Sequence, residues 1–458
     1  MCNTILEKIV KNKKIWIENH KKKIPLIKFK NKIKKTDRYF DQAIKNMRPA
    51  FILECKKSSP SLGIIKDDFD IIKIANTYKK YAAVISVLTD EKYFQGKFEF
   101  LSLVSSIVNQ PVLCKDFFID PYQIYLARYY QADAILLMLS ILSDSEYLFL
   151  STIAKSMNMG ILTEVNNIKE LHRALSLKAT VIGINNRNLH DLSIDINRTK
   201  TLAPLISNNA LIISESGIQS YSQIRMLSKL VHGFLIGSAL MMENDLDVAV
   251  CKMIMGNNKI CGLTRSEDAK ISKTVGVIYG GLIFIKNSKR YIDLNDASKI
   301  IYTTNLKYIG VFQNEKINTV VFIAKTLSLH AVQLHGNENQ DYINLLREKL
   351  PIEINIWKAF SIKNTIPNCN WLNVDYYLFD NLSGGSGKQF NWSILPKNNF
   401  DNVILSGGLN YDNCLLASQL GFSGLDFNSG IEDQYGIKNH NKIISIFDVL
   451  RNFFKHHI

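Results

Sequence analysis

Two series of eight short apolar runs, separated by segments with helical patterning, constrain the fold of this 458-residue chain more than any other feature. The first series is FILECKK (51–57), AVISVLTD (83–90), PVLCKDF (111–117), AILLMLS (134–140), GILTEV (160–165), VIGINN (181–186), ALIISES (210–216) and GFLIGSAL (233–240). Strands that alternate with helices predict βαβ units and a parallel sheet. Eight such units within about 200–250 residues predict a closed (β/α)₈ barrel.

The second series repeats this pattern. Its members are KICGL (259–263), VGVIYGG (275–281), YIGVFQN (308–314), AVQLHG (331–336), INIWKAF (354–360), YYLFDN (376–381), NVILSGG (402–408) and GLDFNSG (424–430). The chain is also longer than the roughly 250–300 residues at which a single core stops growing. We therefore predict an α/β fold of two tandem TIM barrels, residues 1–255 and 256–458, with extra helices in residues 1–50 and a junction at MIMGNN (253–258).

Net charge bears on the choice of partner. The chain carries a net charge of +15, and Lys-rich segments such as KFKNKIKK (28–35) would attract nucleic-acid phosphates. It has no basic motif interleaved with aromatic residues and no nucleic-acid fold signature, so lysines solvated on helix surfaces are the favoured interpretation. Small phosphorylated substrates also suit a basic protein, and we expect these rather than nucleic acid.

The expected location is cytoplasmic. The longest apolar run, AILLMLSIL (134–142), is shorter than the about 20 residues that a membrane span requires. Charges in the N-terminal segment MCNTILEKIVKNKK leave no apolar core for a signal peptide. Seven scattered cysteines, an odd number, indicate reduced thiols. We therefore expect a soluble protein without a membrane partner.

Charged and polar residues end the predicted strands of the first barrel, where barrel enzymes carry their catalytic groups. Glu54 and Lys56 share one face of the first strand and point into the barrel mouth. The other strand ends carry Lys115, Glu164, Asn185, Arg187, Ser214, Glu215 and Ser216. Carboxylates and lysines in one cavity can divide acid and base roles, because neighbouring charges separate their pKa values. Internal salt bridges without chemistry are the alternative.

Two small-residue loops follow the last strands of this barrel. SESGI (214–218) comes after predicted strand seven, and IGSAL (236–240) after strand eight. Backbone N–H groups in these two loops form the usual phosphate site of the fold. The pair of loops predicts that the ligand carries a phosphate.

The second barrel carries a different pair of candidate groups. Cys261 lies near the end of its first strand, and Asp380 ends the strand opposite, so a thiolate and a carboxylic acid can form a base–acid pair. The loops GGSG (384–387), LSGGL (405–409) and NSGIED (428–433) predict a second anion site. His335 lacks an HExxH-type partner, which favours a pocket-lining residue over a metal ligand.

The first half of the chain, to about residue 255, resembles indole-3-glycerol-phosphate synthase through ILECKKSSPS, LCKDF, LTEV, GINNRNL, SESGI and LIGSAL, in that order. That family decarboxylates and dehydrates 1-(2-carboxyphenylamino)-1-deoxyribulose 5-phosphate, closing the indole ring without metal or cofactor. The resemblance implies that Lys115 protonates the substrate carbonyl and that Lys56 contacts the departing carboxylate. It also implies that Glu54 and Glu164 hold the lysines and the substrate nitrogen or hydroxyl, and that one of the two acts in the later proton transfers. The implied substrate contacts are Ser59, Phe117, Asn185, Arg187, Ser214, Glu215, Ser216, Gly217, Gly237 and Ser238.

Residues from about 256 to 458 resemble phosphoribosylanthranilate isomerase, which opens a ribosylamine to an aminodeoxyribulose by an Amadori rearrangement. KICGLTR, SKRY, AVQLHG, NLSGGSGK, LSGGL and NSGIED carry this resemblance. It implies that Asp380 protonates the ribose ring oxygen and that Cys261 removes the proton from C2′. The implied substrate contacts are Arg290 for the anthranilate carboxylate, Gln333 and His335 in the pocket, and Gly385, Ser386, Gly408, Ser429 and Gly430 at the phosphate.

One segment departs from the isomerase pattern. QYGIKN (434–439) stands where the family usually has Pro before Gly and Asp after Lys. The two resemblances together imply a bifunctional enzyme that catalyses consecutive steps of tryptophan biosynthesis, works as a monomer and uses no cofactor or metal. The alternatives are a chain with only one active barrel and a basic nucleic-acid-binding protein on a barrel scaffold.

Overall fold

Two closed barrels, each of eight parallel strands, make up most of the part of the chain described by the computed structural model, residues 4–188, 191–207, 209–363, 365–381, 389–395 and 400–453. Backbone contacts divide the chain into two compact units, Met1–Gln219 with Met226–Val250, and Ser220–Arg225 with Cys251–Ile458. The tandem TIM-barrel fold class is confirmed. The boundary between residues 255 and 256 stays a prediction.

The strands of the first barrel follow the first apolar series. They are β1 Ala50–Cys55, β4 Val84–Leu88, β5 Val112–Lys115, β6 Ala134–Met138, β7 Gly160–Val165, β8 Val181–Asn185, β9 Leu211–Glu215 and β10 Gly233–Ile236, while β2 Ser58–Ser59 and β3 Gly63–Ile64 form a short hairpin after β1. Ile52 of β1 pairs with Val84 of β4 on one side and with Leu235 of β10 on the other, which closes the barrel.

Helices separate these strands. They are α1 Ile5–Lys23, α2 Phe40–Asn46, α3 Ile71–Tyr78, α4 Glu91–Phe94, α5 Glu99–Ser105, α6 Pro121–Tyr129, α7 Asp144–Ser156, α8 Ile168–Ser176, α9 Asn197–Leu202, α10 Tyr221–Leu227, α11 Ser238–Met241 and α12 Leu246–Met255. Side chains from α1 and α2, among them Leu6 and Phe40, join the same buried cluster as Ile52 and Leu113 of the strands. The predicted N-terminal helices therefore belong to the core of the first barrel.

The second barrel follows the second apolar series. Its strands are β11 Lys259–Ile260, β12 Tyr279–Ile283, β13 Lys307–Phe312, β14 Ala331–Leu334, β15 Asn355–Ile362, β16 Tyr376–Asn381, β17 Phe400–Leu405 and β18 Phe422–Phe427, and β19 Glu432–Gln434 with β20 Ile437–Lys438 forms a hairpin. Its helices are α13 Ser266–Thr274, α14 Leu294–Thr303, α15 Ile317–Thr326, α16 Gln340–Lys349, α17 Tyr411–Ala417 and α18 His440–Arg451.

The first strand of this barrel is shorter than its apolar run predicts. β11 ends at Ile260, and Gly262, two residues later, adopts a left-handed conformation with φ of 70°. Cys261 nevertheless continues the ladder with one hydrogen bond from its N–H to the carbonyl of Phe427. In the described part of the chain, none of the helices combines the length and the apolar character that a membrane span requires.

Candidate active sites

A cavity of about 590 Å³ opens at the C-terminal ends of the first barrel's strands. Thirteen of the fourteen residues predicted for this site line it: Glu54, Lys56, Ser59, Lys115, Phe117, Glu164, Asn185, Arg187, Glu215, Ser216, Gly217, Gly237 and Ser238. Ser214 is the exception. The polar strand ends therefore converge on one pocket, as the position of catalytic groups in this fold leads one to expect.

Lys115 is the charge at the centre of this cavity. Its Nζ lies 3.2 Å from an oxygen of Glu215 and 3.7 Å from an oxygen of Glu164. Burial opposes the ammonium charge, but Glu215, Glu164 and Glu54 outweigh it and raise the pKa of Lys115 above its usual value. Burial also raises the pKa of Glu215, to about 7, with Lys115 opposing the shift. The site holds a permanent cation beside a carboxyl that can exchange a proton near neutral pH.

Glu54 and Lys56 form a second ion pair, with 2.5 Å between Nζ and a carboxylate oxygen. Burial alone would raise the pKa of Glu54, but the two lysines, Lys56 and then Lys115, hold it below its usual value. The side chain of Glu54 lies against Gly237: a Cβ at that position would meet a carboxylate oxygen at 2.5 Å. Only glycine leaves room for this carboxylate at the end of β10.

Asn185 links two further predicted residues. Its Nδ2 donates to Glu164 at 3.0 Å, and its Oδ1 accepts from the backbone N–H of Arg187 at 2.9 Å. The Arg187 guanidinium donates to the carbonyl of Leu192, and burial lowers the pKa of Arg187 from its usual value. Asn185 therefore fixes the orientation of Glu164 relative to the cavity.

The small-residue loops form the opposite wall. Ser216 and Gly217 both adopt left-handed conformations, with φ of 64° and 77°, which for serine is a strained backbone. Among the described residues, the backbone N–H groups of Gly217 and Ser238 have no hydrogen-bond partner. Two such donors on adjacent loops suit an anionic ligand.

Ser214 does not line the cavity, and its role as a substrate contact stays a prediction. It lies between Ile213 and Glu215 on β9, and alternate residues of a strand face opposite sides. Its hydroxyl bonds to Nδ2 of Asn186 at 3.1 Å and to the hydroxyl of Thr199 at 2.8 Å. Ser214 therefore joins the strand to the helix layer.

A buried lysine on the N-terminal helix α1 contacts the residue that follows Lys115. Nζ of Lys13 lies 2.7 Å from Asp90 and 2.6 Å from Asp116, the residue that follows Lys115. Asp116 also accepts hydrogen bonds from the Thr89 hydroxyl and from the backbone N–H of Phe117. This cluster fixes Asp116, between Lys115 at the end of β5 and Phe117 in the loop that follows.

The second barrel has a smaller cavity, of about 340 Å³, at the same end of its strands. The predicted residues Cys261, Arg290, Gln333, His335, Asp380, Gly408 and Ser429 line it. Gly430, in the loop that follows β18, is not among the lining residues, and a Cβ built on it would meet the carbonyl of Leu409; its role as a phosphate contact stays a prediction. Gly385 and Ser386 lie outside the described residues.

Burial dominates the chemistry of this second cavity. It raises the pKa of both Asp380 and Cys261. It also lowers the pKa of His335 to about 4, so the imidazole is neutral at physiological pH. His335 lies 3.6 Å from Asp380 through Nε2, and its Nδ1 is 3.2 Å from Nε2 of Gln333. The site therefore presents a neutral imidazole beside a carboxyl that is held toward its protonated form.

Arg290 is engaged by a carboxylate of the chain itself. Its Nε and Nη2 donate to Glu432 at 2.8 and 2.7 Å, and Lys438 donates to the same carboxylate at 2.8 Å. No hydrogen bond from Nη1 is present among the described residues. The β19–β20 hairpin, which overlaps the departure at 434–439, thus contacts Arg290 of the cavity wall through Glu432.

Comparison with known proteins identifies both barrels. The family model "Indole-3-glycerol phosphate synthase" matches residues 6–253, and the model "N-(5'phosphoribosyl)anthranilate (PRA) isomerase" matches residues 258–449. The chain belongs to the bifunctional TrpCF family. It is an enzyme of tryptophan biosynthesis with a synthase barrel followed by an isomerase barrel.

Similar full-length relatives carry the same name, "Tryptophan biosynthesis protein TrpCF". The protein from Buchnera aphidicola subsp. Schizaphis graminum is 62% identical over 98% of this chain and 100% of its own length. The relative from Salmonella typhi is 54% identical over 98% of this chain and 100% of its own length. That from Vibrio cholerae is 50% identical over 98% of this chain and 96% of its own length.

Two functional candidates in the isomerase barrel escaped the sequence analysis. Lys259 and Asp426 are buried in its interior, joined by 2.8 Å between Nζ and Oδ2, and Asp426 lines the cavity. A charged residue within an apolar run marked Glu54, and the same signal is present in KICGL and GLDFNSG.

Among the described residues, no group of three or more His, Cys, Asp or Glu side chains could hold a metal ion.

Proposed function

We propose that Lys115 is the general acid of ring closure in the synthase barrel. The observation that supports this role is that the Lys115 ammonium lies within 4 Å of two buried carboxylates, Glu164 and Glu215, in the cavity. As the aromatic carbon attacks the substrate carbonyl, negative charge develops on the carbonyl oxygen, and Lys115 donates a proton to it. A positioned acid with a raised pKa delivers that proton only as the charge develops.

The other charged groups serve the later steps. Lys56 neutralises the carboxylate that leaves as CO₂, while Glu54 holds Lys56 in place at 2.5 Å. Glu164, oriented by Asn185, takes part in the proton transfers that expel water and restore the aromatic ring. Glu54 and Glu164 have different partners, Lys56 and Asn185, and can therefore divide these roles.

Binding contacts surround this centre. Ser59, Ser216, Gly217, Gly237 and Ser238 hold the phosphate through hydroxyl and backbone donors. Phe117 and the apolar wall near Leu136 pack against the anthranilate ring. Arg187 and Glu215 complete the polar rim.

In the isomerase barrel, we infer that Asp380 is the acid and Cys261 the base. Asp380 protonates the ribose ring oxygen, the C1′–O bond breaks, and an iminium forms at C1′. Cys261 then removes the proton from C2′, and the electron pair of that bond moves toward C1′. The raised pKa of Asp380, caused by burial, suits a group that must carry a proton at neutral pH.

Substrate contacts follow the same pocket. Arg290 offers Nη1 to the anthranilate carboxylate, while Gln333 and His335 line the sugar site. Gly408 and Ser429 hold the phosphate. For Gly385 and Ser386, this role rests on the resemblance alone. His335 is neutral and contributes hydrogen bonds rather than charge.

Separate assays of the two half-reactions test these roles on the intact chain. Lys115→Ala should reduce indole-glycerol phosphate formation by about 10²–10⁴-fold, the usual contribution of a positioned acid, and leave isomerisation unchanged. Cys261→Ala and Asp380→Asn should each reduce isomerisation and leave indole-glycerol phosphate formation unchanged. Near-normal synthase turnover in Lys115→Ala, or loss of both activities in folded Cys261→Ala, would contradict the assignment.

We also infer small phosphorylated substrates as the partners, a cytoplasmic location and a monomer that needs neither nucleic acid nor a cofactor. The monomer is supported by the two cavities, because each is lined by residues of its own unit. Light scattering of the purified chain tests the monomer, and a mass of about twice 52.2 kDa would contradict it. Retention of both activities after nuclease and chelator treatment tests the other two expectations.

A further inference from the structure

A buried ion pair inside the isomerase barrel has no role in the mechanism derived above. Lys259 on β11 and Asp426 on β18 are direct partners in the strand register, and their side chains are 0% and 5% exposed. Burying such a pair removes two charges from water, and the desolvation cost commonly cancels the attraction between them. Stability alone therefore gives no reason for placing this pair in the barrel interior.

The pair lies directly beside the sulfur of Cys261. Lys259 lies on β11, and Cys261, two residues further, continues its ladder, so both face the same side of the barrel wall. A Cβ built on Gly281, on the adjacent strand, would meet the Cys261 sulfur at 2.8 Å and Cε of Lys259 at 3.0 Å. Both groups thus occupy the space that this glycine leaves open, and a larger residue there would push them apart.

The charges around the sulfur act in opposite directions. Burial raises the pKa of the Cys261 thiol, Lys259 is the strongest charge opposing that rise, Asp426 adds to it, and Lys438 opposes it. Arg290 also faces the sulfur, from the loop after β12. Burial opposes the charge of Lys259 itself, but Asp426 and Cys261 outweigh burial and raise the pKa of Lys259 to about 12.

Two further titratable groups lie in the same cavity. His335 and Asp380 project from β14 and β16, and each interacts with Lys259. The pKa of His335 is lowered to about 4, so the imidazole carries no charge at neutral pH. Lys259 is the cation closest along the chain to the proposed base.

We propose that Lys259 and Asp426 are positioning residues of the isomerase, with the Lys259 ammonium shared between the Asp426 carboxylate and the Cys261 sulfur so that the thiolate is stabilised. Asp426 holds the ammonium in place beneath the sulfur, and Lys259 balances the charge that the sulfur carries until it accepts the C2′ proton. The inference rests on the proposed role of Cys261 as the base. It adds the groups that make this base available.

Two substitutions should move the ionisation of Cys261 in opposite directions. Lys259→Met removes the strongest opposing charge, so the thiol pKa should rise. Asp426→Asn keeps a hydrogen-bond acceptor for Lys259 but removes the negative charge, so the thiol pKa should fall. A merely structural role would impair both variants alike, without opposite shifts.

The measurement is the rate of iodoacetamide alkylation against pH on the full-length chain, with Cys261→Ala providing the background from other thiols. The pH profile of isomerase kcat/KM should shift in parallel. At a fixed pH below the thiol pKa, each unit by which the pKa of Cys261 rises lowers the thiolate population about tenfold. The Lys259→Met variant should therefore recover isomerase activity as the pH of the assay is raised. Lys358→Met is the matched control, because Lys358 is another buried lysine of this barrel, paired with Glu338 at 2.8 Å. It should lose stability without moving the alkylation profile.

If Lys259→Met does not fold, the double variant Lys259→Met/Asp426→Asn leaves no unpaired charge, and its thiol pKa should still rise. An unchanged profile in whichever of these two variants folds, or shifts in the same direction for Lys259→Met and Asp426→Asn, would overturn the proposal. An active Cys261→Ala would instead overturn the assignment of the base. The thiol titration needs no substrate, so the two failures are distinguishable.

Discussion

The two barrels use the same positions for different chemistry. In the synthase barrel, Lys115 and Lys56 each lie beside buried carboxylates, and the site works as a set of paired charges. In the isomerase barrel, burial moves Asp380 and His335 toward their neutral forms. One fold therefore supplies either ionised or neutral groups at its strand ends, according to whether each group has a partner of opposite charge.

The largest expected effect tests the paired charges of the synthase. Glu164→Gln keeps the shape of the side chain and its contact with Asn185 but removes the negative charge and the ability to accept a proton. Synthase kcat should fall by about 10²–10⁴-fold, the usual contribution of an acid–base group. Isomerase activity of the same preparation is the control. A synthase rate within a factor of about two of the parent chain would remove Glu164 from the proton transfers.

The second prediction tests the charge cluster beneath Lys115. Lys13→Met leaves Asp90 and Asp116 buried without their cation, which should destabilise the synthase barrel by about 3–5 kcal/mol. The change in the free energy of unfolding is measured by urea titration, with synthase activity as the signal that reports unfolding. Lys21→Met on the same helix is the matched control, because Lys21 pairs with Asp120 at a side-chain exposure of 38% and should cost at most about 1 kcal/mol. Equal effects of the two substitutions would contradict the importance of burial.

The third prediction concerns the neutral imidazole of the isomerase. Because the folded pKa of His335 is about 4 against a usual value of 6.5, the unfolded chain binds more protons between these pH values. Stability of the isomerase barrel should therefore fall as the pH decreases from 6.5 toward 4. At pH 5 the isomerase barrel should have lost about 2 kcal/mol of its free energy of unfolding relative to pH 7, and His335→Asn should abolish this loss. The measurement is the urea midpoint of the isomerase transition at pH 7 and pH 5. An equal pH dependence in both proteins would show that His335 is not the group responsible.

The smallest effect distinguishes the two faces of β9. Ser214→Ala removes hydrogen bonds to Asn186 and Thr199 and should cost about 1 kcal/mol of stability, without changing synthase KM. Ser238→Ala, which alters the cavity wall, should instead raise KM with little loss of stability. A raised KM in Ser214→Ala would return that residue to the binding site.

How far the sequence predicts these sites depends on local pattern. Glu54 stands out because a charge within an apolar run conflicts with an ordinary core strand, and Lys259 and Asp426 carry the same signal. Strand periodicity, applied strictly to SES, would have turned Ser214 away from the cavity. Lys13 gives no such signal, because lysines on amphipathic helices normally lie in water. Its burial depends on Asp90 and Asp116, which only the folded barrel brings to it.

The cluster formed by Lys13 also has a consequence for the order of events during synthesis of the chain. Lys13 leaves the ribosome well before Asp90, and 103 residues before Asp116. At the usual elongation rate of about 5–20 residues per second, α1 waits roughly 5–20 s for the second of its two buried partners. During that time its apolar face and its lysine have no barrel to enter. Helix α1 is therefore among the elements that can dock only after β5, the third strand of the barrel, has been translated.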